Sequence, residues 1–286
     1  MADAGVDARP AAVGARPAVR AGKGRWAVRG LAVLYVGLLV LVPVAVIVYR
    51  TLQPGLGTFL DALRDPDTQH AFQVTAAVAG AAVLINTVFG VAVAVLLARY
   101  RFPGRRLLSA FIDLPVAVSP IVVGLALVLV FGPTGWFGPF LERHGVVVIG
   151  AKPGMILATA FVSLPLVVRA LVPVLEQAGL EQEQAAASLG AGALTRFRRI
   201  TLPTIRVALS YGVVLSIARC VGEYGAVLVV ANGGIAADNE TASVRIGNLI
   251  DNDQNYDAAY ALAFVLMLIS LAAILVAAWI RRRGRA

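Results

Sequence analysis

The sequence predicts an all-α, polytopic membrane protein with six transmembrane helices and both termini in the cytoplasm. Three observations carry that prediction. Hydrophobic residues make up 59% of the 286 positions and only 14% are charged, giving a mean hydropathy of +0.82, outside the range of soluble domains. Six apolar stretches, residues 30–49, 71–98, 107–131, 154–175, 205–231 and 258–280, each reach the ~20 residues that a helix needs to cross a bilayer core. Basic residues then alternate between connections, as cytoplasmic retention of positive charge requires.

The elements follow in order. Residues 1–29 read as a basic, disordered cytoplasmic tail, rich in Ala, Arg, Gly and Pro, with Arg9, Arg16, Arg20, Lys23, Arg25 and Arg29. A cleaved signal peptide fits less well, because the hydrophobic run that follows is of full spanning length. The Arg-rich, acid-poor composition is also that of an organellar transit peptide. The first, second and last stretches contain no charged residue. Between the second and third stand Arg99, Arg101, Arg105 and Arg106; between the fourth and fifth stand Arg196, Arg198, Arg199 and Arg206; residues 281–286 add Arg281, Arg282, Arg283 and Arg285. The opposite side holds Arg50, Arg64, Arg143, Lys152 and Arg245, alongside acids such as Asp61, Asp65, Asp67, Asp251, Asp253 and Asp257. The net charge of +9 is thus a topology signal, and a nucleic-acid partner is not expected. Trp26 and Trp279 fall at inner span ends, where interfacial anchors belong.

Four ionisable residues lie within the spans: Asp113, Arg169, Arg219 and Glu223. A charge facing lipid costs about 2.5–3.5 kcal/mol at a helix centre, so these side chains should face the bundle interior or water. Asp113 and Arg169 both come out about 9 Å from the inner end of their antiparallel helices, a geometry that permits an ion pair. Arg219 and Glu223 are spaced i,i+4 and can pair on one helix. Two roles fit: structural neutralisation between helices, or positive charge offered to a passing anion. The third span also interrupts itself, because Pro115 and Pro120 each remove a backbone hydrogen bond, as Pro165 does in the fourth. Such interruptions mark either a packing kink or a gate lining a cavity, and Ser119 stands beside one as a hydroxyl donor.

The chain lacks several chemistries. Its one cysteine, Cys220, rules out an internal disulfide; its two histidines, His70 and His144, both fall in loops and build no metal ligand set. It has no GxxxxGK[ST] loop, so no nucleotide hydrolysis by that route and no cofactor of its own are expected.

One cytoplasmic connection, residues 176–204, departs from the oily remainder. Ala185, Ala186 and Ala187 favour helix and present little bulk; Gly190 can take positive φ and turn the chain. Ala193–Ile200 should form a second short helix with Phe197 and Ile200 on its apolar side, and Pro203 should close the unit before the fifth span. An amphipathic connector resting on anionic lipid explains the arginines, but not the smooth alanine face followed by a hinge. That arrangement suits docking into another protein.

The segment resembles the EAA loop of ATP-binding-cassette (ABC) importer permeases, whose pattern is E-A-A, three residues, Gly, nine residues, I-x-L-P. Gln184, Ala185 and Ala186 stand at the required distances before Gly190, and Ile200, Leu202 and Pro203 after it; the acid is displaced to Glu183. The likeness covers nearly all of residues 30–280 and is nearest to permeases of sulfate/thiosulfate importers, through FPGRRLL (102–108), DLPVAVSPIVVGL (113–125), VRALVPVL (168–175) and GEYGAV (222–227). Ser119-Pro120 resembles the W-type subunit rather than the T-type or the molybdate permease. The resemblance implies the type I importer permease fold and a non-catalytic role. Its implied partners are a second, T-type permease, two cytosolic ATPase copies that bind ATP and Mg, and an extracytoplasmic sulfate-binding protein. A permease for another oxyanion, a stand-alone secondary anion transporter and a membrane scaffold without transport activity remain the alternatives.

Overall fold

The computed structural model describes residues 23–232 and 239–283, all in helices or the connections between them. The expected tail over residues 1–22, with Arg9, Arg16 and Arg20, and the expected cytoplasmic Arg285 lie outside the described residues. The chain divides into two compact units at Val46/Ile47. The first contributes most of α1, Lys23–Leu52, which holds Pro43 and starts within the stretch expected to be tail.

The second unit carries the rest. Helix α2 is Leu56–Arg64 and α3 is Pro66–Arg99. The carboxylate of Asp65 caps α3 by accepting from the Thr68 N–H at 3.0 Å, with Pro66 at the first turn. Helices α4, Arg105–Ala117, and α5, Pro120–Phe131, meet at an angle of 112°, so the third apolar stretch is a broken element rather than a straight crossing. Pro120 opens α5, where no N–H is needed, whereas Pro115 and Pro165 lie buried inside continuous helices. A short α6, Gly138–Arg143, leads to α7, Lys152–Ala178. Helices α8, Glu181–Ser188, and α9, Ala193–Arg196, precede α10, Leu202–Val221. The expected fifth span is also divided: the chain breaks at Gly222–Tyr224, and α11 runs Gly225–Asn232. Helix α12, Ala242–Asp251, and the long α13, Tyr256–Arg283, complete the fold. Among the described residues five helices are long and apolar enough to cross a membrane, or six counting the bent α4–α5 pair.

Helix α7 is the hub: it packs on α3, α10, α4, α5 and α11, and buries Met155, Val167, Val168, Leu171 and Leu175. Small residues make this close approach possible, as between membrane helices generally. A Cβ on Gly90 of α3 would meet Val167 Cγ1 at 2.8 Å, and one on Gly212 of α10 would lie 3.1 Å from the Ala170 Cβ. Asn86 fastens the same seam, donating to the Ala160 carbonyl at 2.9 Å and to Ser163 Oγ at 2.8 Å.

The break after α10 is braced. Ser243 Oγ of α12 donates to the Val221 carbonyl at 3.2 Å, satisfying an acceptor that the ending helix leaves open. Thr75 of α3 accepts from the Ala242 N–H at 2.8 Å, and Tyr224 lies over Gly247. Beyond the bundle, Arg245 of α12 sits among Glu240, Asp67, Asp253 and Asp65 at 3.4–4.0 Å, joining α12 to the start of α3. Phe59 of α2 packs edge-on against Phe264 of α13, and the Arg283 guanidinium lies 3.9 Å above the Trp279 ring.

The α3–α7 seam yields a paired test. Gly90→Ala should cost about 1–3 kcal/mol through overpacking against Val167. Gly80→Ala, where an added Cβ meets nothing within 4 Å, should hold or raise stability, by up to about 1 kcal/mol from the better helix propensity of alanine. Thermal unfolding of the purified variants in detergent checks both, with a lower midpoint expected only for the first.

Candidate functional site

Three groups of residues carry the chemistry: the loop unit around α8, and two intramembrane ion pairs.

Helix α8 ends in a complete Schellman motif. The Ala191 N–H donates to the Ala186 carbonyl and the Gly190 N–H to the Ala187 carbonyl, both at 2.9 Å, with Gly190 at φ +84°. A Cβ there would meet nothing within 4 Å, so glycine is required by the backbone and not by crowding. Gln184, Ala185, Leu189 and Gly190 face outward, with Leu189 89% exposed.

The inward side of α8 is held by one guanidinium. Arg99, the last residue of α3, donates to Glu183 Oε1 at 2.9 Å, to the Leu175 carbonyl at 2.9 Å and to the Gly179 carbonyl. Glu183 also accepts from Thr201 Oγ1 at 3.0 Å. Arg99 and Glu183 are 7% and 17% exposed, so their charges compensate each other largely away from water. One side chain thereby joins α3, the end of α7, α8 and the approach to α10. The acid displaced from the motif's first position is the one that pairs, while Gln184 points outward. Arg99, assigned above only to topology, is the residue the sequence reading missed. Its place at the end of a spanning helix, beside a loop acid, was the available signal.

The expected second short helix and the expected stop at Pro203 are both corrected. Helix α9 runs through a π turn, Phe197–Thr201, straight into α10, making one element from Ala193 to Val221. The Leu202 N–H reaches back to the Phe197 carbonyl, five residues away. Pro203 has no N–H for the Arg199 carbonyl and its ring would press on that group in an α-helix; the wider π turn removes the conflict. Ile200 lies in this turn and Leu202 opens α10.

Asp113 of α4 and Arg169 of α7 form a forked pair: Arg169 Nε donates to Asp113 Oδ1 at 2.7 Å and an η nitrogen to Oδ2. Ser109 of α4 accepts from the same guanidinium at 2.9 Å. Arg169 is 43% and Asp113 50% exposed, on the outer face of this chain's bundle. Charges so placed do not face lipid tails without a large cost, so this surface must meet water or protein.

The second pair differs from expectation. Glu223 lies beyond the end of α10, in the break, so it does not share a helix with Arg219. The two still meet at 2.6 Å, with Glu223 2% and Arg219 39% exposed. Glu223 Oε1 accepts from the Ala226 N–H at 3.1 Å, capping α11. This pair is separate from the first, standing at the α10–α11 junction rather than between α4 and α7.

The two breaks adjoin. A Cβ on Gly225, the first residue of α11, would lie 3.1 Å from Ile121 Cγ1 and 3.4 Å from Pro120 Cβ at the start of α5. Gly124 of α5 sits against the Ala226 backbone. The N-termini of two discontinuous helices therefore lie together, with Ser119 exposed as the N-cap of α5, its side chain making no capping bond. Helix N-termini carry partial positive charge, and in transporters such interrupted helices face anionic groups.

A bundle of this kind, with interrupted helices and an outward-facing loop unit, is that of an ABC importer permease. Residues 86–286 match the family model described as the binding-protein-dependent transport system inner membrane component, and the chain belongs to that family. It is 41% identical over 254 residues to the sulfate transport system permease protein CysW of Synechococcus elongatus, covering 89% of this chain and 88% of that one. To the protein of the same name from Escherichia coli strain K12 it is 42% identical over 248 residues, covering 87% and 84%. The fold matches the crystal structure of a bacterial ABC transporter that imports the acidic polysaccharide alginate. There the TM-score is 0.70 at 17% identity, covering 91% of this chain and 96% of that one.

The Arg99 junction predicts a measurable effect. Arg99→Gln leaves Glu183 short of its partner and two carbonyls short of a donor, a loss of about 3 kcal/mol for a largely buried pair. Hydrogen exchange across residues 176–203 should accelerate at least roughly tenfold, the effect of ~1.4 kcal/mol, while exchange in α13 stays unchanged.

Proposed function

We propose that this chain is a permease subunit of an ATP-driven sulfate importer in the bacterial cytoplasmic membrane, with both termini inside. A second, T-type permease completes the pathway, and an extracytoplasmic binding protein delivers the oxyanion. Of two copies of a cytosolic ATPase, which hold the ATP and Mg, one docks on the outward face of α8 and the other on the matching loop of the T-type permease. This chain performs no catalysis itself.

The observation that carries the reading is the Arg99–Glu183 junction. It makes the α8 unit move with α3, α7 and α10 rather than flap as a surface loop. Leu189 and Gly190 stay open to a partner, while Glu183 and Thr201 pass displacement into the helix that bears Arg219. Closure of the ATPases would draw the α8 units of two permeases together and shift the opening from the cytoplasmic to the outer side. Support for the substrate comes from the relatives' names, and from positive character at the adjoining breaks, where Arg219 stands partly exposed above its buried counter-ion. The exposed Asp113–Arg169 pair fits a face that meets the second permease or the pathway.

Two experiments test this. Gly190→Asp forces a side chain into the left-handed region and puts charge on the open face. The protein should remain in the membrane, while ATP-dependent uptake of labelled sulfate by the assembled complex falls roughly thirtyfold or more, the effect of ~2 kcal/mol at a docking hot spot. Undiminished uptake would contradict the coupling role. For the pathway, Arg219→Gln combined with Glu223→Gln keeps the junction neutral, and Arg169→Gln probes the other pair. Each folded variant should show uptake reduced roughly tenfold or more, the effect of losing ~1.4 kcal/mol of binding; normal kinetics in both would remove these residues from the pathway.

A further inference from the structure

The ends of α3, α4 and α7 nearest the loop unit border an open cavity of about 560 Å³, lined by Arg101, Arg105, Arg106, Ser109, Arg169 and Glu176 among others. Four arginines face one carboxylate. Glu176 is already engaged by Arg105 at 2.9 Å, and Arg169 is neutralised from the side by Asp113. Among the described residues no carboxylate lies within 4 Å of Arg101 or Arg106, so two cations are left uncompensated around one concavity. Helix α4 adds to them. It begins at this cavity, its N-cap Gly104 supplies no side-chain acceptor, and its first turn holds no acid. Ser109 accepts from Arg169, which leaves its own hydroxyl hydrogen free to donate.

Arginines that only set topology need not converge; scattered over the surface, they would hold the connection in the cytoplasm equally well. Here they converge with a helix N-terminus and a hydroxyl donor, and the one carboxylate in the lining, Glu176, is already bound by Arg105. Guanidinium forks match the oxygen spacing of tetrahedral oxyanions. We infer that this cavity is an oxyanion site, distinct from the helix-break junction. It takes a sulfate- or phosphate-type group, present either as a free anion or as the headgroup phosphate of an acidic lipid. Because Arg169 belongs both to the cavity and to the pair with Asp113, an occupant here competes for the group that joins α4 to α7.

The assembled transporter in phosphatidylcholine nanodiscs is treated with an arginine-modifying dicarbonyl, with and without inorganic sulfate, and modified peptides are quantified by mass spectrometry. A parallel sample in phosphatidylglycerol nanodiscs receives no sulfate. Modification of Arg101, Arg105 and Arg106 should slow at least roughly tenfold in one arm, the effect of occupancy at ten times the dissociation constant. Protection by sulfate identifies a free anion, and protection by phosphatidylglycerol identifies a lipid. In the Arg101→Gln/Arg106→Gln variant, which keeps both ion pairs, Arg105 should lose that protection while the thermal midpoint holds. Protection in neither arm, or equal protection by chloride at matched ionic strength, overturns the site. Uptake in proteoliposomes is scored separately: a protected complex that moves no sulfate would refute the transport reading and leave this site standing.

Discussion

A single guanidinium decides whether the loop around α8 is an ornament or a lever. Arg99 ends one spanning helix, takes up free carbonyls at the end of a second, and neutralises Glu183 on the loop itself. Carbonyls at a helix end need donors, and a largely buried carboxylate needs a cation. Both demands are met by the same group, so the loop cannot be moved without moving the bundle. Without that junction, the alanine face and the glycine turn would be held to the bundle only by the adjoining chain and the Thr201–Glu183 hydrogen bond.

The same economy governs the membrane-level charges. Each of the four has a partner, but only Glu223 is buried fully; Arg219, Asp113 and Arg169 keep one side open. Lipid tolerates neither open charge nor open backbone, yet two helices are interrupted here and their fresh N-termini are packed together through Gly225 and Gly124. The bracing of the second break by Ser243 and Tyr224 marks it as a built feature of the fold. Polar backbone, positive charge and protein-covered breaks are thus gathered at one junction.

Much of this was legible in the residues. The apolar runs locate five of the six segments to within about five positions, because the bilayer imposes length and composition directly; the fifth run, 205–231, is displaced, since the spanning element is Ala193–Val221. Pairing of Asp113 with Arg169 followed from equal depth on antiparallel helices, and the turn at Gly190 from its spacing. What was not legible depends on tertiary contacts. The apolar stretch 205–231 carries Gly222, Glu223 and Gly225 at the break, but glycines and a charge also occur within continuous spans, and α11 is as oily as one. The helices α2, α6 and α12 are short and lie in connections; α2 and α12 are amphipathic, a signal that a search for apolar runs of spanning length passes over. Arg99 looks like its neighbours Arg101, Arg105 and Arg106, and only the approach of α7 and α8 separates a structural cation from those lining a cavity. Pro203 was read as a terminator because the local rule assumes α geometry, and the helix instead changed its winding.

That change of winding fixes an azimuth. The π turn at Phe197–Thr201 threads one surplus residue into an otherwise regular rod, and each residue of an α-helix corresponds to about 100° of rotation. Everything N-terminal to it, including the face that α8 and α9 offer, is therefore phased against α10 by that single residue. Trimming one position from the turn would leave the chemistry of the loop untouched and aim it in the wrong direction.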